Sequence, residues 1–484
     1  MEPFVLRGFL KENQWAIMEL WTEKYLRDNF AKNKGPVTVR FGNREHVNGE
    51  KMEPFVLRGF LKENQWAIME LWTEKYLRDN FAKNKGPVTV RFGNREHVDG
   101  EILHDHKSIK HQFESFSEML DWMLGRNEKE LTSTSPTELK ITSLTHWAYF
   151  DYRDILELLD EENASLVDWS KLNIFPPSSS SDLENKNWKD STIWIGTPGA
   201  YTPCHYDTYG FNLHAQICGY KRWLLFPPKT DLNATRLPYE ESSVFSSIDI
   251  IGATMKEVEE NYIPSPFVVI CEPGDLLFVP QKWWHSVQCI AKINDNSKNI
   301  NNQLCISLNK WFPTENDLIE SKKEALLKFL MSLNLNFGLL NLSENICLTE
   351  LNSLENKNNL DELAFLVNER LEEEEEENNK NSPNPKRAKL INKEKLEFNE
   401  EYFYNYFLNN PLKEKISVME WKEIYKMRKN FYGTFLSTKS NQFNKNIKEN
   451  LVDQLKIELF EAISSPKVLD ILLNVFISKR REKK

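Results

Sequence analysis

The chain has 484 residues, of which 40% are hydrophobic and 12% aromatic, and a formal charge of −10 at pH 7. That length exceeds one ordinary core and implies at least two lobes. The acidic balance argues against general nucleic-acid binding, and no apolar run approaches the roughly 20 residues a membrane helix needs. Six cysteines without a C-x-x-C pair suit a reducing compartment. Glu2 and Arg7 interrupt any leader-like start, so a cytoplasmic chain is expected.

In chain order, the first feature is a duplication. Residues 1–50 recur at 52–101 with a constant offset of 51 and one difference, Asn48 against Asp99. Stacked repeats drift while keeping their core pattern, and two copies are too few to stack. The segment 1–51 therefore reads as a duplicate that is loosely docked, or as an artefact of the gene sequence. Each copy predicts a short strand (Phe55–Gly59 in the second), a helical stretch through Trp66 to Trp72, and a strand at Val88–Phe92. The copy from Met52 is contiguous with the central part of the chain, has the shorter loop to close, and is expected to dock. His104-Asp105-His106 carries ligand types but no third ligand at believable spacing, and reads as solvated surface.

The middle of the chain concentrates the chemistry. A strand over His205-Tyr206-Asp207 turns His205 and Asp207 to one face and Tyr206 to the other, which is a chelating arrangement. Roughly 0.4 such H-x-D tripeptides would arise by chance, so the surroundings must decide. Glu272-Pro273-Gly274-Asp275 predicts a type II turn, Leu276 to Val279 a buried strand ended by Pro280, and His285 comes on the next short segment. Two histidines and one carboxylate are the set that holds Fe(II) on one face and leaves three positions open. His214 has no carboxylate at i±2 and reads as a core histidine, and Cys204 should point away from His205.

From Trp194 to Trp311 the chain resembles the JmjC-type Fe(II)/2-oxoglutarate oxygenases. It is similar to their asparaginyl hydroxylases in Thr202-Pro203-Cys204-His205-Tyr206-Asp207, in Ala215 to Arg222, and in Leu225-Phe226-Pro227-Pro228. It is closer still to a branch named for association with a small heat-shock protein, in Trp194-Ile195-Gly196, Pro238 to Ser246 and Phe278-Val279-Pro280. The resemblance implies a mostly β fold, the double-stranded β-helix of the cupin/JmjC jelly roll, with flanking helices and an α-helical C-terminal lobe. It implies His205, Asp207 and His285 as iron ligands and catalytic residues. Lys221 and Thr202 would meet the distal carboxylate of 2-oxoglutarate, with Tyr149, Asn212 and Asn309 as further co-substrate or metal neighbours. One residue more lies between His205 and Lys221 than in the asparaginyl hydroxylases, so Tyr209-Gly210-Phe211 is expected to form a bulge or altered turn.

The expected organisation is a JmjC domain over 52–312, a helical extension over 313–370, a charged linker over 371–398 and a helical region over 399–484. Lys292 to Gln303 reads as an exposed inserted loop. Thr314 is expected to cap a helix carrying Leu318, Ala325, Phe329 and Leu333. Pro385 to Leu390 resembles a short nuclear import signal. Leu451, Leu455, Leu459 and Ile463 share a helical face, and Ser465-Pro466 opens a further helix; this lobe would pair two chains or pack on the barrel. The expected activity is hydroxylation of a side chain in a protein or peptide substrate, ahead of lysine demethylation. Two alternatives are a catalytically silent scaffold binding a small heat-shock protein, and a cupin isomerase using another divalent metal.

Overall fold

The structure is a computed structural model and describes residues 52–82, 86–95, 109–126, 131–132, 140–175, 187–237, 239–293, 303–314, 316–336, 400–433 and 460–481. All of these belong to one compact unit, Gly49–Lys484. The first copy of the duplication, His104-Asp105-His106, the linker, the import-like cluster and Leu451, Leu455 and Leu459 lie outside the described residues.

The strands before the H-x-D segment are β1 (Phe55–Leu57), β2 (Val88–Asn94), β3 (Ile109–Phe113), β4 (Leu131–Thr132), β5 (Lys140–Ile141), β6 (His146–Asp154) and β7 (Thr192–Gly196). Next come β8 (Tyr201–Asp207), β9 (Phe211–Cys218), β10 (Tyr220–Phe226), β11 (Ala234–Thr235) and β12 (Ser243–Ser246). They are followed by β13 (Phe267–Cys271), β14 (Leu276–Val279), β15 (Trp284–Lys292) and β16 (Cys305–Phe312), and finally by β17 (Lys413–Lys415), β18 (Ser417–Val418) and β19 (Phe431–Tyr432). A nine-stranded sheet runs β17-β1-β14-β9-β16-β7-β6-β2-β3, and an eight-stranded sheet runs β11-β12-β8-β15-β10-β13-β18 with β19 paired to β15. All pairings are antiparallel, as a jelly roll requires.

Period-two alternation explains why the two sheets close on each other. On β9 and β16, Leu213, Ala215, Ile306 and Leu308 face outward into a core shared with Phe60, Trp66, Trp169 and Phe403, so helical segments cover that side. Between the sheets, Val56, Leu277 and Val279 of one meet Trp223, Leu225, Val269 and Val287 of the other. Opposite them the inward positions turn polar, with Asn212, His214, Gln216, Ser307 and Asn309 all buried. One half of the interior is thus apolar and the other is wired with hydrogen bonds.

The second copy of the duplicated segment docks through β1 on β14 and through β2 on β6. Its expected strands are present, but the expected helix is broken into short turns at Phe60–Glu63, Ile68–Leu71 and Glu74–Asn80. Gly59 and Gln65 at positive φ and the Thr73 cap interrupt it. The turn at Glu272 to Asp275 forms, with Asp275 N–H donating to Glu272 C=O at 3.0 Å and Gly274 at φ 107°. The altered turn expected at Tyr209-Gly210-Phe211 is a bend with Gly210 at φ 62°, where a Cβ would stand 2.6 Å from the Phe312 carbonyl oxygen. His285 sits not on a short segment but near the start of a nine-residue strand.

The C-terminal region departs from the expected all-helical lobe. The segment 400–433 supplies β17 to the open edge of β1, β18 to the edge of β13, and β19 to the end of β15. Unpaired edges need covering, and β17 and β18 cover two of them, while β19 pairs with the end of a strand inside the sheet. The helix after the barrel runs Asp317–Asn336, so Thr314 stands one turn ahead of it rather than at its cap. Thr314 instead donates its hydroxyl to Asp317 Oδ1 at 2.7 Å. A helix does start at Pro466, and its Leu469 and Leu473 pack on Leu326, Leu327 and Met331 of this same chain.

Arg236 and Glu324 form a pair with side chains only 3% and 4% exposed, Nη2 donating to Oε2 at 2.8 Å. Removing one partner leaves a buried charge alone, so Glu324→Ala is expected to lower the unfolding free energy by about 3–5 kcal/mol. Urea titration reads this directly. A loss well under 1 kcal/mol, within the range of exposed ion pairs, would show that water reaches the pair.

Candidate metal centre

His205 and Asp207 point inward from β8, while Cys204 and Tyr206 point outward among Leu224, Phe226 and Trp284. Cys204 therefore faces away from the two donors, as strand alternation requires. On the neighbouring β15, His285 lies directly across from His205, and the ring centroids are 4.2 Å apart. His205 Nε2 is 3.7 Å from Asp207 Oδ1 and His285 Nε2 is 3.8 Å from Asp207 Oδ2. Donor atoms of the three residues all lie within 4.8 Å of one another, the one such cluster among the described residues.

The outer contacts orient these donors. His205 Nδ1 donates to Pro203 C=O and His285 Nδ1 to Trp283 C=O, both at 2.8 Å, so each ring turns its Nε2 inward. Trp311 Nε1 donates to Asp207 Oδ2 at 2.7 Å and leaves Oδ1 free. Burial, then the neighbouring His285, push the His205 imidazole down to about 4, which keeps its Nε2 lone pair available at neutral pH.

The co-substrate candidates divide. Lys221 is 2% exposed and donates to Ser307 Oγ at 2.7 Å and Tyr149 OH at 3.3 Å, and Thr202 hydrogen-bonds the same tyrosine. A register slip opposite His285 to Val287 puts Thr202 on the inner face despite its odd spacing from His205. Gly219, at φ 66°, carries the chain from one sheet to the other just before Lys221, and a Cβ there would meet the Leu304 carbonyl oxygen at 2.4 Å. No carboxylate pairs with Lys221 among the described residues. Asn212 and Asn309 bond each other at 2.8 Å, and Asn309 Oδ1 accepts from His214 Nδ1 at 2.9 Å. These two lie in the interior as a pair, and His214 is the satisfied core histidine that its lack of a carboxylate partner implied.

Sequence reasoning does not single out Ser307 and Trp311, although both lie at the strand period of two from Asn309. A further consequence concerns acid. Burial, then Lys221, hold His214 down to about 3, and His205 sits at about 4, whereas unfolded imidazoles titrate near 6.5. The unfolded chain binds more protons between those values, so stability rises with pH across that window and is lost as pH falls from about 6.5 toward 4. In metal-free protein the urea midpoint is expected to drop steeply between about pH 7 and pH 5, and a flat profile would show that these rings are solvated.

Compared with known proteins, residues 43–318 match the model of the cupin-like domain, which is more than half of the chain. The chain belongs to the cupin-like domain family. The chain is 38% identical over 189 residues to HSPB1-associated protein 1 of Homo sapiens, and 39% identical over 189 residues to the Danio rerio homolog. Those matches cover 38% of this chain, and 35% of the human and 38% of the zebrafish protein, so the chain spans little more than a third of these relatives. It is also 25% identical over 267 residues to the 2-oxoglutarate and iron-dependent oxygenase JMJD4 of Gallus gallus, covering 49% of this chain and 56% of that one. The resemblance to the JmjC-type cupins read from the sequence agrees with these relatives.

Proposed function

We propose that the chain is an Fe(II)- and 2-oxoglutarate-dependent oxygenase that hydroxylates a protein side chain. The observation that carries this reading is Lys221, an ammonium buried in the polar half of the barrel with hydroxyl partners and no counter-charge among the described residues. An interior cation is costly unless an anion meets it. A dianion bound between it and the metal centre supplies that anion. A cupin isomerase or a silent scaffold has no need of it. The donor set fits as well, since two neutral imidazoles and one carboxylate on one side suit Fe(II) with open positions.

His205, Asp207 and His285 would hold the metal. When bound, the ferrous centre and 2-oxoglutarate couple loss of CO2 to insertion of one oxygen atom into a substrate C–H bond. Lys221, with Tyr149 and Thr202, would fix the distal carboxylate. Trp311 holds Asp207 in one rotamer, and Val279, Trp223 and Val287 keep the adjoining half of the cavity dry. Asn309 and Asn212 act by orienting His214 and one another.

Succinate formed from 2-oxoglutarate by the purified chain, only when Fe(II) and O2 are both supplied, is the expected result. A mass increase of one oxygen on captured protein partners identifies the substrate. No succinate with metal bound and a broad peptide panel present would overturn the enzyme reading in favour of a scaffold. Association with a small heat-shock protein, the property in the human relative's name, is proposed as a separate binding role and is tested by pull-down with that protein. Cytoplasmic and nuclear residence is likewise proposed, on the cysteine usage and the basic cluster at 385–390.

A further inference from the structure

Buried thiols gather around Lys221 rather than around the metal donors. On β10, Lys221 stands opposite Cys289 of β15 on one side and Cys271 of β13 on the other. Its ammonium then reaches across to Ser307 Oγ of β16, two residues from Cys305 and on the same strand face. The lysine is therefore anchored against both of the strands that carry Cys289 and Cys305.

Cys289 and Cys305 belong to different sheets, yet their side chains meet in one buried cluster. Both are free thiols, each 1% exposed, and they hydrogen-bond one another, while Gln216 Nε2 donates to Cys305 Sγ at 3.4 Å. Gly196 makes the room. Its Cα faces Cys305 across the ladder, and a Cβ there would stand 3.0 Å from Cys289 Sγ and 2.9 Å from Tyr149 Cδ2. Burial acts to raise the Cys289 thiol, but the hydrogen bond from Cys305 and then the Lys221 ammonium bring it below its ordinary value. Burial, then Cys289, drive Cys305 well above the usual thiol range, so Cys289 is the better nucleophile of the two.

We propose that Cys289 and Cys305 are a reversible oxidation site, joined as a disulfide by hydrogen peroxide, and that this link switches off 2-oxoglutarate binding at Lys221. The link depends only on the two thiols, and its effect on the co-substrate rests on the oxygenase reading. The Cys289 sulfur takes one oxygen of the peroxide as the O–O bond breaks, and the hydroxide released leaves as water with the Cys289 proton. The Cys305 sulfur then displaces that oxygen. The S–S bond forms, the S–O bond breaks, and a second water leaves with the Cys305 proton. Two thiols lose two electrons between them, and one peroxide is reduced to two waters. A contact becomes a covalent bond, which draws β15 and β16 together beside the lysine and moves its ammonium from the position set by Ser307 and Tyr149. Such a pair suits a reducing compartment, where lasting disulfides are rare and transient ones sense oxidants.

Metal-free full chain is treated with hydrogen peroxide, catalase removes the excess, and Mn(II) is added before 2-oxoglutarate is titrated by calorimetry. Peptide mapping by mass spectrometry is expected to find Cys289 joined to Cys305, with 2-oxoglutarate affinity lowered about tenfold or more and both changes reversed by dithiothreitol. Cys289→Ser and Cys305→Ser should bind 2-oxoglutarate within about twofold of the reduced chain, before and after peroxide, and their urea midpoints report that they fold. Peroxide that leaves both thiols free, takes either one to sulfinic acid, or joins one to Cys271 instead overturns the inference. A mapped link between Cys289 and Cys305 with unchanged 2-oxoglutarate affinity overturns it as well. A reduced chain that binds no 2-oxoglutarate, while the link still forms, supports the oxidation site and overturns the oxygenase reading instead.

Discussion

His205→Ala is expected to abolish succinate formation and to weaken divalent-metal binding by well over the roughly 10- to 100-fold that loss of an outer-shell partner costs. The reason is geometric. Three donors gather within 4.8 Å, and two of them are held by backbone carbonyls that leave no other use for their inward nitrogens. Removing one leaves two donors on a site that contains no further histidine or carboxylate within reach among the described residues. Trp311→Phe is a graded companion, because it deletes only the N–H on Asp207 Oδ2 and should cost about 10- to 100-fold in metal affinity. Manganese titration monitored by paramagnetic resonance separates the two variants without any substrate. Full turnover in His205→Ala, or equal metal affinity in all three proteins, would mean that the centre lies elsewhere.

The donors are legible in the sequence because each side chain's direction obeys a local rule. His205 and Asp207 share a face by the strand period of two, whereas His285 enters through the family resemblance and meets them only by the pairing of β15 with β8. What the spacing cannot supply is the pairing between strands. Thr202 has the wrong parity for the inner face, and only the register slip between His285 and Val287 turns it inward. Asn212 and Asn309 lie 97 residues apart, and nothing local signals that they bond each other. The strands at 413–432 are invisible for a different reason. Lys413-Glu414-Lys415 has no apolar alternation, and it is a strand only because β1 offers it an open edge.

Lys221→Met should separate co-substrate binding from stability, two properties that most core substitutions move together. In the metal-loaded chain 2-oxoglutarate affinity is expected to fall by roughly a hundredfold or more, since the fixed charge at the far end of the cavity is gone. Stability should not fall with it. The lysine is 2% exposed and bonded to Ser307 and Tyr149, neither of which carries a charge, so the folded chain bears the desolvation of an ammonium with no carboxylate opposite among the described residues. A methionine of similar length removes that cost and fills the same space beside Trp194, which is why the urea midpoint is expected to hold or rise. The hydroxyls of Ser307 and Tyr149 lose a donor but can still bond each other or water, at a cost of about 1 kcal/mol. A variant that binds 2-oxoglutarate normally removes the ground for an oxygenase. A variant that loses binding together with several kcal/mol of stability would make Lys221 a structural lysine, held for packing rather than for an anion.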